Sequence, residues 1–343
     1  MNKKSVLMVV ARYPATHGHT SVINQLCKNL NLLGFRASIG AFIFDSDPPF
    51  GIPKVKLSKF KLLLYGVNSL NFDIIHSHQS QVNYFLLSRN TEKPVILHYH
   101  GTSKKIHELN FKLTIALHKQ KISLTLPVSN SAKDQIKHLV GDIPMEVLSN
   151  GIDSNFFKPE NQEKYRNGNP QLVFVSALRP YKNTHFLVNS MSEILKKFPD
   201  AHLNIVGDGE DFAKIKKEIS VKNLTNHFKL FGNVSDQLEL KSIYLSSDVY
   251  VSASTLEASP VPPLEAMSCG KSLVLSDISS HKELLSKANA GMIFLQDNLS
   301  DFLQKICDVY ENKEILSARA REFAESQDWM IICKKLIEIY QKL

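Results

Sequence analysis

The chain of 343 residues is poor in cysteine and has no long apolar run. Cys27, Cys269, Cys307 and Cys333 lie far apart, and no two form a Cys-x-x-Cys pair. That argues against a zinc ribbon or a disulfide framework and suits a reducing compartment. No stretch reaches the ~18 to 20 apolar residues needed to span a bilayer. The N-terminal run Val6 to Ala11 is short, and Arg12, Tyr13 and Pro14 follow it without a small-x-small cleavage site. It is therefore expected to be a first buried strand rather than a signal peptide. No internal repeat, low-complexity tract or coiled-coil heptad stands out.

What is present is ordinary globular composition, with 43% hydrophobic and 22% charged residues. The length suggests about two domains. The formal net charge is +8, and it is unevenly spread. Residues 1–165 hold 20 Lys+Arg against 11 Asp+Glu, and residues 166–343 hold 21 against 22. The excess positive charge thus belongs to the first half.

Short apolar runs alternate with longer amphipathic stretches. Strands are expected at Val6–Ala11, Ala37–Phe44, Asp73–His76, Val95–His98 and Leu124–Val128. Helices are expected at Ser21–Leu33 and Ser131–Val140, the latter capped by Ser129 and stopped by Gly141. Residues 158–170 are polar and turn-rich and read as a linker. The pattern then restarts, with strands at Leu172–Ser176, Ala201–Val206, Phe228–Phe231, Val249–Val251 and Ser272–Leu275. A helix is expected at His185–Phe198 and an amphipathic one at the C-terminus, Asp328–Leu343. Alternation in both halves implies an α/β chain of two doubly wound, Rossmann-like domains facing a cleft. Ligands of such folds bind at the carboxyl ends of the strands.

The strand ends carry the chemistry. The loop Thr16-His17-Gly18-His19-Thr20 follows the first strand and opens a helix, where backbone and dipole favour an anion. His76 and His78, like His98 and His100, are spaced i, i+2 and share a strand face. His100 precedes Gly101, where the chain leaves the strand toward the cleft. Asp45-Ser-Asp47 has the spacing of a metal-diphosphate pair but is followed by Pro48-Pro49, and it is read as chance. No metal site is expected. Arg179 and Lys182 follow a strand and open a helix, which suits a diphosphate. Gly207-Asp-Gly209 lacks the third glycine of a dinucleotide fingerprint. In the run from Glu257 to Gly270, prolines precede Leu264-Glu265-Ala266-Met267, as in a first helical turn with Ser259 as its cap. Glu257 in the loop and Glu265 in the helix can bind ligand hydroxyls, and free N–H groups there can meet phosphate oxygens.

Together these residues resemble the retaining glycosyltransferases of family 4, which have the two-domain GT-B architecture. The strongest part is Glu-x7-Glu from Glu257 to Glu265, followed by Ala266-Met267 and Gly270. Val128-Ser129, the run from Val147 to Asp153, Lys182, Ile205 to Gly209, Leu230-Phe231-Gly232 and Glu283 support it, and the resemblance covers essentially the whole chain. It implies that the second domain, 166–327, binds a nucleotide-sugar donor. The first, 1–165, would bind the acceptor, and the helix from 328 to 343 would pack back on the first domain. Lys182 would meet the diphosphate, Glu265 the ribose hydroxyls and Glu257 the donor sugar near the reacting centre. His100 would lie by the sugar, and the Gly18 loop by the phosphates. Gly209, Ser259 and Val261 complete the expected donor-binding set. No cofactor or metal is implied beyond the donor, with a UDP-sugar favoured over a GDP-sugar.

The departures are informative. Ala177 stands where the family usually has a phosphate-binding arginine, with Arg179 two residues later as the expected substitute. The family's Glu-Gly-Phe-Gly becomes Glu257-Ala258-Ser259-Pro260, and Pro260 has no N–H. In the first half, Pro53 to Tyr65 and Lys104 to Lys121 mix lysines with apolar residues as in helices that lie on anionic membranes. The expected partners are therefore a glycan or polyprenyl-diphosphate-linked acceptor and an anionic surface, not nucleic acid. The expected place is the cytoplasm or the cytoplasmic face of the inner membrane, in assembly of O-antigen, capsule or a similar glycan. The alternatives are a non-catalytic transferase-like subunit and a sugar-nucleotide epimerase of the same architecture.

Overall fold

The computed structural model describes residues 4–15, 19–101 and 105–343. The chain forms two compact units, one of residues 1–151 with 329–343 and one of residues 152–328. The first unit runs β1 (Ser5–Tyr13), α1 (His19–Leu32), β2 (Arg36–Phe44), β3 (Lys54–Lys56), α2 (Lys59–Tyr65), β4 (Ile74–Ser77), α3 (Ser80–Leu86), β5 (Val95–Tyr99), α4 (Lys105–His118), β6 (Leu124–Pro127) and α5 (Asn130–Val140). The second runs β7 (Gln171–Val175), α6 (Thr184–Lys197), β8 (His202–Val206), α7 (Phe212–Val221), β9 (Phe228–Gly232), α8 (Gln237–Leu245), β10 (Val249–Ser252), α9 (Val261–Ser268), β11 (Ser272–Ser276), α10 (Ser279–Ala288), β12 (Gly291–Phe294), α11 (Leu299–Glu311) and α12 (Lys313–Ser326). The last helix, α13 (Trp329–Gln341), belongs to the first unit.

Both sheets are parallel and six-stranded, ordered β3-β2-β1-β4-β5-β6 and β12-β11-β10-β7-β8-β9. Each is the doubly wound order in which the chain reverses direction across the sheet beside its first strand. The switch points lie at β1/β4 and β7/β10, where side crevices open for ligands. The central strands are buried on both faces, which is why Val6-Leu-Met-Val-Val10 and Leu172-Val-Phe-Val175 read as continuous apolar runs. Ser129 caps α5 as its sequence position suggests, its hydroxyl accepting from the Ala132 N–H at 3.0 Å. Strands β3 and β12 escape the sequence pattern because, as the outer strands of their sheets, they are less buried than the central ones.

Residues 158–170 are not a linker. Tyr165 is buried in the core of the second unit, and its N–H donates to Ser246 Oγ at 3.0 Å. Arg166 forms a forked pair with Asp248 at 2.7 and 3.1 Å. The chain passes between units at Gly151/Ile152 and again at Asp328/Trp329. These crossings adjoin: Ile152 N–H donates to Gln327 O at 3.0 Å, and Asp328 Oδ2 accepts from the N–H and hydroxyl of Ser154. Beyond them, Trp329, Ile332, Cys333, Leu336, Ile339 and Tyr340 of α13 join the core that holds Val22, Ile23, Leu26 and Leu30 of α1. Burial of that stripe accounts for the amphipathic spacing of the C-terminal segment.

The charge asymmetry is larger between these units than between the halves of the sequence. The first unit holds 21 Lys+Arg against 9 Asp+Glu, net +12, and the second 20 against 24, net −4. Among the described residues, no helix is long and apolar enough to cross a membrane.

Candidate functional site

In the second unit the site grows from the β7/β10 switch point. After β7 the chain passes through Ser176–Leu178 and one tight helical turn, Pro180–Lys182, before α6 begins. After β10 it passes through Ala253–Pro260 into α9. The backbone and hydroxyl of Thr255 both donate to Tyr181 O, at 2.8 and 3.2 Å, tying one loop to the other. That tie sets Lys182 against Glu257, and their side chains form an ion pair with little solvent exposure. Ser254 Oγ also donates to Glu257 Oε1, at 3.0 Å. Behind it, Ser276 Oγ donates to Ser254 O at 2.5 Å, and the His281 ring donates from Nδ1 to Ser276 O at 3.1 Å. Burial lowers the His281 pKa to about 4, so this support is neutral at physiological pH.

Arg179 is half-buried, and its guanidinium reaches Tyr181 Oη at 3.4 Å. It has no carboxylate partner among the described residues, whereas Ala177 is exposed beside it. Gly207 and Gly209 allow a close backbone approach. A Cβ on Gly207 would lie 1.8 Å from Ser176 O, and one on Gly209 would lie 2.3 Å from Leu178 O. The two glycines let the end of β8 press against the loop after β7, where Leu178 N–H donates to Asp208 O at 2.9 Å. Any side chain there would displace the loop that carries Arg179 and Lys182.

Helix α9 corrects one expectation. Its N-cap is Pro260, without a side-chain cap, so Ser259 does not close the helix. Pro260, Pro262 and Pro263 have no N–H, which leaves Val261 as the sole backbone donor of residues 260–263. The plural set of free N–H groups expected there is thus reduced to one. Glu265, one turn on, is half-buried, and Tyr244 Oη donates to its Oε2 at 2.8 Å. Burial raises the Glu265 carboxyl to about 7, with the tyrosine bond partly offsetting it.

In the first unit, the two histidine pairs meet at the ends of β4 and β5. The rings of His76 and His98 stack at 5.1 Å, those of His98 and His100 at 4.4 Å, and those of His76 and His78 at 4.5 Å. His76, His78 and His98 bring nitrogens within 4.8 Å of one another. Their rings lie within 35° of parallel. Burial lowers all four pKa values, that of His76 to about 3. His76 Nδ1 also meets Tyr340 Oη of α13 at 2.6 Å. Gly18 lies outside the described residues. Asp45 is held by Arg12 at 2.5 and 2.8 Å and Asp47 by Lys54, so both carboxylates of the Asp-x-Asp triplet have cationic partners.

Tyr181, Tyr244, Ser254, Ser276 and His281 went unnoticed in the sequence. Tyr181, Ser254 and Tyr244 touch Arg179, Glu257 and Glu265 directly, whereas Ser276 and His281 act on Glu257 only through Ser254, and none has a spacing that marks it. Only the small-residue run Ser252-Ala-Ser-Thr255 at a strand end hints at close loop packing.

Two doubly wound units of this strand order, with Lys182, Glu257 and Glu265 at one switch point, define a glycosyltransferase of GT-B architecture. The chain belongs to the family described as Glycosyl transferases group 1, which matches residues 155–327, and residues 15–156 match Glycosyltransferase Family 4. It is 23% identical over 280 residues to the phosphatidyl-myo-inositol mannosyltransferase of Mycolicibacterium smegmatis, covering 79% of this chain and 71% of that protein. It is 24% identical to an uncharacterised glycosyltransferase of Methanocaldococcus jannaschii, covering 98% of each. Its fold is similar to that of Anabaena HepE, crystallised with UDP and glucose, with a TM-score of 0.83, 19% identity and coverage of 99% and 100%.

Proposed function

We propose that this glycosyltransferase moves a sugar, with retention and without a metal, from a nucleotide-diphosphate sugar to a glycan or polyprenyl-diphosphate-linked acceptor of a cell-surface polysaccharide. The observation that carries the reading is the Lys182–Glu257 pair at the β7/β10 strand ends, backed by Glu265 on α9. A UDP-sugar is favoured over a GDP-sugar, in keeping with the UDP and glucose bound by the Anabaena relative. Unit 152–328 holds the donor. Lys182 meets the diphosphate, joined by Arg179 in place of the arginine absent at Ala177, and by the single Val261 N–H. Gly209 holds this loop in place, and Ser259 lines the sugar-facing turn. Glu265 accepts from the ribose hydroxyls, and Glu257 from the sugar hydroxyls. His100 of the first unit faces the sugar, and Gly18 approaches the phosphates.

The bond from the sugar's anomeric carbon to the β-phosphate oxygen breaks, and charge gathers on the phosphate. Lys182 and the positive end of α9 stabilise that charge. The acceptor hydroxyl attacks on the same face, its oxygen bonding to the anomeric carbon while its proton passes to the departing phosphate. The test is thermal shift with a panel of nucleotide sugars, since a ligand that binds only the folded state raises the melting temperature. UDP-sugars at about 100 times their Kd should add roughly 2.7 kcal/mol of stability. A panel in which no nucleotide sugar moves the transition would overturn the reading.

An anionic membrane is the proposed setting for the acceptor. Helix α4 exposes Ile106, Leu109, Leu113 and Leu117 along one face while burying Phe111 and Ile115 on the other. Helix α2 exposes Phe60, Leu63, Leu64 and Tyr65, and Tyr84 is exposed on α3, which packs between them. Phe60 is 70% and Leu117 65% exposed, and Lys59, Lys61, Lys105, Lys112 and Lys119 surround them. Apolar side chains for the acyl boundary and lysines for lipid phosphates are what a monotopic surface offers. Flotation with vesicles containing phosphatidylglycerol should recover the protein at low salt and release it at high salt. Phe60→Ser with Leu117→Ser should weaken recovery at least tenfold. Recovery unchanged by salt or by the substitutions would refute this surface, as would a stable dimer that buries it.

A further inference from the structure

We infer that Met8 and His78 position the His100 imidazole in the tautomer protonated at Nε2, so that its Nδ1 accepts a hydrogen bond from a ligand hydroxyl. This rests on the reading that His100 faces the sugar, and it assigns the role of each ring atom. Met8 lies on β1, His78 directly after β4 and His100 directly after β5, on neighbouring strands of the first sheet. The backbone places His78 firmly, its N–H donating to Val9 O at 2.9 Å.

The proton assignment follows from one atom that cannot donate. His78 Nε2 lies 3.1 Å from Met8 Sδ. A thioether sulfur carries no proton and can only accept, so the proton between them sits on His78 Nε2. The opposite arrangement would set two lone pairs against each other in a dry core. A neutral imidazole has one proton, so His78 Nδ1 is an acceptor. It lies 3.1 Å from His100 Nε2, which must therefore donate. His100 then has its lone pair on Nδ1, which makes no hydrogen bond to the described residues. Both rings remain neutral, because burial and the adjoining imidazoles hold their pKa values well below the ordinary histidine range.

The consequence is chemical selectivity. The group that meets Nδ1 must bring a proton, as a sugar or acceptor hydroxyl does. A phosphate oxygen or carboxylate would meet a lone pair and be repelled. His100 therefore orients a hydroxyl at neutral pH and does not act there as a general acid.

The test is a long-range proton–nitrogen correlation spectrum of the histidine-labelled, ligand-free protein at neutral pH. His78 and His100 should each show a protonated Nε2 and an unprotonated Nδ1. Met8→Leu keeps the core volume but removes the acceptor. It should mix the tautomers of both rings and raise KM for the donor about three- to tenfold, with kcat changed less. His78→Phe should free His100 alone. A protonated Nδ1 on wild-type His100, or an unchanged His100 spectrum in Met8→Leu, would overturn the inference. Shifted tautomers with an unchanged KM would instead leave the proton chain standing and remove His100 from the sugar site.

Discussion

Lys182→Ala is expected to abolish sugar transfer, lowering kcat/KM by about 10³-fold or more, while Glu257→Gln abolishes transfer but leaves nucleotide binding intact or tighter. Both follow from one ion pair. In the ligand-free protein Lys182 is neutralised by Glu257, and both side chains are largely shielded from water. In the proposed site a diphosphate would have to take Lys182 from that carboxylate. Removing the lysine therefore removes both the binding contact and a charge that stabilises the leaving group, a type of loss worth about 10²- to 10³-fold for one preorganised donor. On the proposed reading, neutralising Glu257 would release Lys182 toward phosphate and at the same time take a carboxylate from the sugar. Calorimetry with the nucleoside diphosphate selected by the donor panel, beside initial rates, separates the two effects. Wild-type turnover in either variant would refute the site. Tight nucleotide binding by Lys182→Ala would place the diphosphate elsewhere. Ser254 gives an internal control, because Ser254→Ala removes one support of Glu257 and should cost much less.

The second large effect is a pH signature at Glu265. Burial on α9 raises its carboxyl to about 7, although the hydrogen bond from Tyr244 opposes the rise. A raised carboxyl pKa means that the folded protein holds the proton more tightly than the unfolded chain. The folded state is thus penalised as pH rises from the ordinary glutamate range to about 7, and the penalty is constant above that. Its upper bound is roughly 3 to 4 kcal/mol. Glu265→Gln should therefore raise the melting temperature at pH 8 and leave it nearly unchanged at pH 4.5. Binding moves the other way. Ribose hydroxyls bond more strongly to an ionised carboxylate, so wild-type affinity for the nucleoside should rise through pH 7, and the glutamine variant should bind about ten times more weakly above it. Using uridine as well as UDP keeps phosphate ionisation out of the comparison. Equal melting shifts at both pH values would refute the buried, titrating Glu265.

The alternating architecture was legible because buried parallel strands need no pattern finer than a run of Val, Ile and Leu between turns. Local chemistry was legible too: the Ser129 cap lies three residues from the N–H it serves. Residues 158–170 misled for the same reason. Their composition is that of a linker, but Tyr165 and Arg166 are held by Ser246 and Asp248, some 80 positions away. The α9 cap misleads at short range, since Ser259, of a residue type that favours caps, stands one position ahead of the Pro260 that holds that place.

The sequence by itself determined the two α/β units, the family and the identity of the carboxylates and cations at the strand ends. Those follow from side-chain periodicity and from residue types at short spacing, which are properties of neighbouring positions along the chain. Tertiary structure alone decided that Lys182 is paired with Glu257, that burial raises Glu265 toward neutrality against the opposing bond from Tyr244, and that four histidine rings cluster together. The sheet order brings positions 21 to more than 300 residues apart into contact. Only there do burial and opposed lone pairs determine which groups are charged and which atoms carry the protons.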